Sequence, residues 1–441
     1  MPDAIRNHAF ANRQDALPIR FDSTSTQATF IRRNSMFWGN NCPSSATAFR
    51  LTGGIAKLRP TFTALATCLI WLVLWHQPAH ADHVHHLWYD NANWQDQDLT
   101  ALTNGGIAGS NGAIAAFRTT PNNELHVYYV DVNAYHVHQL YFNNTSWRDE
   151  DLTSYSGGPQ ALWNEVSGFA IGNLQYIFYA GIDQHIHELS YNNYKWTDQD
   201  ITVLGNGPSP LGNYPLAAFP TKPNNQFHVY YPDQNMDLHQ MYFNGTSWSD
   251  SDLTAITGAQ CQDNWAAGFA VGNWQHLFCL GFGRYSNNVD LLHLYYNNYQ
   301  WLYEDVTFEA GGADIEPGIG VAAFKVPGVN QFEVWGFTLD THCNRYEHVV
   351  NPAKWIDWDL TNLIGAPTEA QYGQIVGFVT TPNNQYHVYY APSSEVYQIY
   401  YNGLVWYVED LTGGAGNADP NGGIAGFAIG NIQHVFYMSN N

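Results

Sequence analysis

Positive charge is scarce in this chain. Only 16 of its 441 residues are Lys or Arg, against 38 Asp or Glu, and the formal net charge is −22. The shortage is uneven. Residues 82–441 carry eight Lys/Arg and 35 Asp/Glu, a balance of −27, while residues 1–81 carry a balance of +5. So acidic a body excludes a nucleic-acid reader, which must replace phosphate counterions with Lys and Arg. It also disfavours anionic membranes and favours solubility. Cysteine is rare too. Beyond residue 81 there are Cys261, Cys279 and Cys343. Three cannot all pair within the chain, so disulfides are not expected to form the framework, and no zinc-type Cys/His spacing occurs. No segment sustains a 3.6-residue apolar period, which argues against a helical fold.

Long apolar runs are also missing, with one short exception. From about Thr61 to Trp75 the chain is apolar over about fifteen residues, short of the ~20 that span a bilayer. Lys57 and Arg59 precede the run, and Ala79-His80-Ala81 closes the polar tail behind it. This is the order of a secretory signal peptide, over residues 57–81, with cleavage expected between Ala81 and Asp82. An uncleaved signal anchor in the membrane is the alternative. Residues 1–56 remain an unassigned extension, consistent with a start codon placed too far upstream. The folded domain is expected over 82–441, secreted, without membrane insertion after cleavage.

What the chain has in abundance is repetition. The pattern W-x3-D-[LIV]-T recurs seven times, at Trp94/Asp98, Trp147/Asp151, Trp196/Asp200, Trp248/Asp252, Trp301/Asp305, Trp355/Asp359 and Trp406/Asp410, with a mean spacing of 52 residues. Each unit also holds three further short runs rich in β-branched and aromatic residues, separated by polar turns; in residues 114–153 these are "AIAAF", "LHVYYV" and "HVHQLYF" before "WRDEDLT". Four strands per ~50-residue unit is the pattern of a β-propeller blade. The two ends complete each other. Residues 82 onward supply only a third and fourth strand, and the C-terminal "GGIAGFAIGNIQHVFYMSNN" only a first and second. The expected fold is all-β: a seven-bladed propeller of four antiparallel strands per blade, closed by pairing the terminal half-blades. Second strands come in two kinds, one preceded by Pro121, Pro223 or Pro382, the other by Gly172, Gly272 or Gly430. They alternate through the first four full units, which makes an ancestral two-blade duplication plausible.

Seven equivalent Trp/Asp pairs do not resemble an enzyme's single unsymmetrical constellation. Each Asp or Thr is expected to bond turn backbone. Each Trp is expected either to wedge between blades or to form the aromatic floor of a pocket. The third-strand pairs His83/His85, His136/His138 and His185/His187 could share a face for a metal, but the second position is Leu292, Tyr346 or Tyr397 in other units, which fits packing rather than ligation. No metal and no cofactor are expected. A second-strand series (His126, Tyr176, His228, His276, Glu333, His387, His434) and a third-strand series (Gln139, Glu188, Gln240, His293, Glu347, Gln398, His86) could lie side by side. With an aromatic ring they would offer what a sugar needs: fixed polar partners for hydroxyls and a face for its C–H groups. Trp163, Tyr214, Trp265 and Tyr372, before the first strands, could add pocket walls.

The order "HVYY…HVHQLYF…W" resembles the fucose-binding β-propeller lectins, both the fungal six-bladed and the bacterial seven-bladed kinds, over about residues 82–441. The resemblance implies sugars bound between blades by an Arg on the second strand, a Glu on the third and a nearby aromatic. By position the Arg corresponds to His126, His228, His276, His387 and His434, and the Glu to Glu188, Gln139, Gln240 and Gln398. Arg is thus absent from the second-strand positions, and Glu is kept at Glu188 and Glu347. The unit around Phe332–Asn351 departs most. The expected function is that of a secreted multivalent lectin with glycan or glycoconjugate partners, fucose or a related sugar being the ligand. The candidate carbohydrate-binding residues are Trp94, His126, Gln139, Trp147, Tyr176, Glu188, Trp196, His228, Gln240, Trp248, His276, His293, Trp301, His387, Gln398, Trp406 and His434. A protein-interaction ring without a sugar ligand is the alternative, and a propeller glycosidase or lyase, which would need a unique carboxylate pair, ranks below both.

Overall fold

The computed structural model describes residues 81–440 except for 91, 111, 193, 213, 262–265, 284–287, 330, 351–352, 369–373, 393–394 and 413–418. The signal-peptide segment, the extension 1–56, Trp265 and Tyr372 lie outside the described residues. The strands form seven antiparallel sheets, six of them made of four consecutive strands. We number the blades in chain order. Blade I comprises Ala115–Arg118, Leu125–Val130, Val137–Phe142 and Trp147–Asp151. Blades II to VI follow over 161–200, 217–252, 266–305, 322–359 and 375–410. Blade VII joins both ends of the domain: Asp419–Ile429 and Ile432–Asn440 pair with Ala81–Tyr89 and Trp94–Asp98. His86 faces Phe436 and Leu87 faces Val435 in that seam of the two termini. The fold is therefore the seven-bladed β-propeller expected, with the ring closed by complementary half-blades.

First strands of neighbouring blades touch all round the ring, including Asp419–Ile429 against Ala115–Arg118. Ala115, Gly168, Leu216, Ala266, Val321 and Ile375 line a central cavity of about 230 Å³. Crowding at this inner end explains the alternating small residues of the first strands. A Cβ placed on Gly268 would lie 2.4 Å from the Phe219 ring of the preceding blade, so only glycine fits there.

The repeated D-[LIV]-T is a three-part fastener. In all six described one-turn helices that follow a fourth strand, the Asp accepts a hydrogen bond from the backbone N–H three residues on, at 2.7–3.0 Å. That is helix N-capping, worth about 1 kcal/mol per site. The apolar residue is buried in every blade. The Thr hydroxyl accepts the backbone N–H at the start of the third strand, at 2.7–3.0 Å in all seven blades. The Asp was expected to bond turn backbone, and it does so.

Cys261 and Cys279 form a disulfide in blade IV, a pairing the sequence left open, and Cys343 is buried. One expectation needs correction. In blade V, counting back from Trp355 put Glu347 opposite Glu333 as the functional pair and Tyr346 in the place of the second histidine. The hairpin between its third and fourth strands is two residues longer: Trp355 pairs with His348, whereas Trp147 pairs with Phe142. The place held by Gln139, opposite Tyr128, therefore belongs to Arg345, opposite Trp335, and the histidine place to Asn344.

Candidate inter-blade ligand sites

The two predicted series do meet, on second and third strands of one blade. In blade I, Gln139 Nε2 lies 2.5 Å from His126 Nδ1. The same pairs form in blade III, Gln240 with His228 at 2.9 Å, and in blade VI, Gln398 with His387 at 2.6 Å. In blade IV His276 and His293 are 3.0 Å apart, as are His86 and His434 in blade VII. Of the two roles expected of the tryptophans, the structure shows the wedge. Each packs edge-on against the second-strand aromatic of the preceding blade. Trp196 of blade II meets Tyr128 of blade I, and Trp147 of blade I meets His86 and Phe436 of blade VII. Trp248, Trp301, Trp355, Trp406 and Trp94 repeat this against blades II, III, IV, V and VI. They are wedges between blades, so any site built from these residues is shared by two blades.

Three seams carry a polar network. At I/II, Gln139 Nε2 also reaches Tyr128 Oη and Gln175 Oε1, each at 3.0 Å, while His126 Nε2 lies 3.2 Å from Thr119 Oγ1. Tyr128 donates to Gln175 as well. Seam III/IV repeats this with Gln240, Tyr230 and Gln275, and seam VI/VII with Gln398, Tyr389 and Gln433. Gln175, Gln275 and Gln433 belong to the neighbouring blade and were missed in the sequence. Their signal is there: all three sit in G-N-x-Q, the glycine kind of second strand. The proline kind always precedes it across these seams, and Thr120 N–H bonds Gly172 O at 3.0 Å, as Lys222 does Gly272. The two-blade period is thus the period of one seam type. His126 and Gln139 are each 2% exposed. Burial holds the imidazoles of His126, His228 and His387 down to about 3, so they are neutral and serve as hydrogen-bonding groups.

Three other seams are aromatic. Here the position of the missed glutamines is apolar. At II/III, Phe227 packs on Tyr176 with ring centres 4.4 Å apart, and Phe178 meets Trp248 edge-on. Glu188, 3% exposed, and Trp248, 6% exposed, each keep one buried polar atom without a partner, Glu188 Oε2 and Trp248 Nε1. Burial pushes the Glu188 carboxyl up to about 7. At IV/V, Phe332 covers His276, whose Nε2 is also unpartnered. At VII/I, His86, His434, Trp88, Trp147, Leu102 and Leu125 line a cleft of about 650 Å³. The seventh seam, V/VI, is ionic. Arg345 bonds Glu333 through Nε at 2.5 Å and a terminal nitrogen at 2.7 Å, and lies 5.2 Å above the Trp406 ring. Burial pushes the Glu333 carboxyl up and Arg345 pulls it back; the two-pronged contact is the geometry of a guanidinium on a carboxylate.

The third-strand histidine pairs are tied to carboxylates of the fourth strand. His136 bonds Asp151 at 2.7 Å and His138 bonds Asp149 at 3.0 Å. Among the described residues, Asp183, His187 and Asp200 bring three possible ligand atoms together; His187 Nε2 lies 3.1 Å from Asp183 of that group, while its Nδ1 bonds Asp198 at 2.9 Å. Trp163 is half-exposed beside Gly212 of the next blade.

Residues 55–205 match the family model described as fungal fucose-specific lectin, the same resemblance that the strand pattern carries. A comparison with curated proteins finds no significant match. Among solved structures, BP39L lectin from Burkholderia pseudomallei is similar at 17% identity, with a TM-score of 0.51 over 72% of this chain and 89% of that one. The six-bladed Aleuria aurantia lectin is 13% identical, with a TM-score of 0.48 over 69% and 97%. AofleA from Arthrobotrys oligospora is 10% identical, with a TM-score of 0.48 over 74% and 89%. At such identities the likeness to BP39L speaks for the fold.

Proposed function

We propose that this chain, which resembles the fungal fucose-specific lectins over residues 55–205, is a secreted multivalent carbohydrate-binding protein without enzymatic activity, whose ligands enter the seams between blades. The observation that carries this reading is the II/III seam. A buried acceptor, Glu188 Oε2, and a buried donor, Trp248 Nε1, are left open in a seam floored by Tyr176 and Phe227. A buried polar atom without a partner costs about 1–3 kcal/mol. A ligand hydroxyl, which both donates and accepts, recovers that cost, while its C–H face lies on the aromatic floor. Fucose or a related sugar fits this demand. Arg345 and Glu333 at V/VI carry the family's charged pair with its strands exchanged, which favours a related sugar there over an identical fucose contact.

Repetition of similar seams supports multivalency, since several weak sites on one ring act by avidity. The Cys261–Cys279 disulfide supports an extracellular setting. No helix among the described residues is long and apolar enough to cross a membrane. A glycan array probed with the purified full-length chain tests the function. Binding to at least one glycan class is expected, with loss of binding by Glu188→Ala at the II/III site. A folded protein that binds no glycan overturns the reading.

A further inference from the structure

Five of the six described one-turn helices behind the fourth strands carry an apolar side chain that the fold does not use, blade IV having Glu309 at that place. Four residues after the capping Asp stand Leu102, Tyr155, Leu204, Ile256 and Leu363, all more than half exposed. Two of them border clefts rather than open surface. Leu102, 53% exposed, lines the VII/I cleft. Tyr155, 68% exposed, lines the I/II cleft of about 870 Å³ together with Glu124, Glu150, Tyr191, Tyr194 and Lys195. Pockets that take drug-sized ligands measure roughly 300–1,000 Å³, so the I/II cleft has room for more than one sugar ring.

The floor of the I/II cleft is already committed. The amide nitrogen of Gln139 and both ring nitrogens of His126 are already hydrogen-bonded, Gln139 to Gln175 across the seam and His126 within its own blade. Ligand selection is thereby displaced outward to the walls. We propose that at these two clefts the fourth residue after the capping Asp is the variable outer wall and reads the second unit of a bound glycan: Tyr155 stacks on the ring of that unit at I/II, and Leu102 packs on an apolar substituent of it at VII/I. The two clefts then prefer different glycans although they share one fold. Charge points the same way. The I/II cleft mixes Glu124, Glu150 and Lys195 among its aromatic walls, whereas no charged side chain lines VII/I.

This inference rests on the lectin reading, and one experiment separates the two. Crystals of the full chain and of its Tyr155→Ala, Leu102→Ala and exchanged Tyr155→Leu/Leu102→Tyr variants are titrated with α-methyl-L-fucoside (one unit) and Fucα1-6GlcNAc (two units), and occupancy is refined cleft by cleft. Both positions are exposed, so the variants are expected to fold. In the unaltered chain the two-unit probe binds tighter than the one-unit probe. Tyr155→Ala abolishes that gain at I/II, on the order of tenfold for a lost aromatic contact, and leaves the one-unit probe and VII/I unchanged. Leu102→Ala does the converse with a smaller loss, and the exchange variant swaps the preferences. Equal weakening of both probes, or no change in either, overturns the wall assignment while the lectin reading stands. No sugar in any cleft of the unaltered chain overturns both.

Discussion

Seams I/II and V/VI join the same strands with opposite chemistry. At I/II a neutral imidazole, two amides and a phenol share hydrogen bonds across the blades. At V/VI a carboxylate with 0% exposure meets a guanidinium stacked above Trp406. Both place hydrogen-bonded polar groups between aromatic wedges. The neutral network repeats in three seams, while the ion pair appears in one. The difference shows that the propeller takes more than one polar chemistry at this place, and Glu188 Oε2 and Trp248 Nε1 at II/III show that not every polar atom there is satisfied within the fold. It also explains why the second- and third-strand series vary so freely in sequence.

The largest expected break in this comparison is Arg345→Met. It leaves Glu333 buried beside nothing that balances it, and removing one partner of a buried pair costs about 3–5 kcal/mol. Chemical denaturation of the purified chain measures it. Adding Glu333→Leu to that variant should restore most of the loss; if the double variant is no better than the single one, the pair is not what stabilises the seam.

Acid is the next test, and it should separate the seams. His126, His228 and His387 are held down to about 3 by burial, against roughly 6.5 when unfolded. Between those values the unfolded chain binds more protons. Their contribution is therefore present above pH 6.5 and is lost as pH falls towards 3. Glu165 and Glu188, raised by burial to about 8 and about 7, act in the opposite direction, losing stability as pH rises above about 4.5. Buried imidazoles outnumber these carboxyls, because His86, His276, His293 and His434 are lowered too. Hydrogen exchange at pH 4.5 against pH 6.5 should show faster opening at I/II, III/IV and VI/VII than at V/VI. Uniform acceleration across all four would contradict the neutral-network account.

Smaller still is Gln139→Ala, which strips partners from His126, Tyr128 and Gln175. A loss of about 1–3 kcal/mol is expected, and the same from Gln240→Ala, since the seams match. The smallest effect belongs to the fastener common to every blade. Asp200→Ala and Asp359→Ala should each cost about 1 kcal/mol, irrespective of seam type. Unequal costs would mean that the seam chemistry reaches the caps.

Much of the molecule was legible in the chain. Seven W-x3-D-[LIV]-T motifs gave the blade count, and the half-units at 82 and 441 gave the closure, because the residues that make a blade lie within about 50 positions of one another. Asp151 as a turn fastener was legible for the same reason: its partner is three residues away. His126 beside Gln139 followed from two strands joined by one turn. What failed did so at a distance or by register. Trp147 was left between two roles, wedge or pocket floor, because nothing local says that it packs on Phe436, nearly three hundred positions away in sequence. Arg345 was passed over for Glu347 because two extra residues in a hairpin shift the pairing by one side chain on the same face.

The sequence by itself determined the architecture of this protein, since a propeller is built from local hairpins that repeat. Only the tertiary structure decided the chemistry of its seams. Each seam brings a second and third strand of one blade against the fourth strand of the next and the second-strand entry that carries Gln175 or Phe227. No single unit of the repeat contains all of these. Whether a polar atom there is spent, like those of His126, or open, like Glu188 Oε2, depends on the partner that the neighbouring blade happens to present.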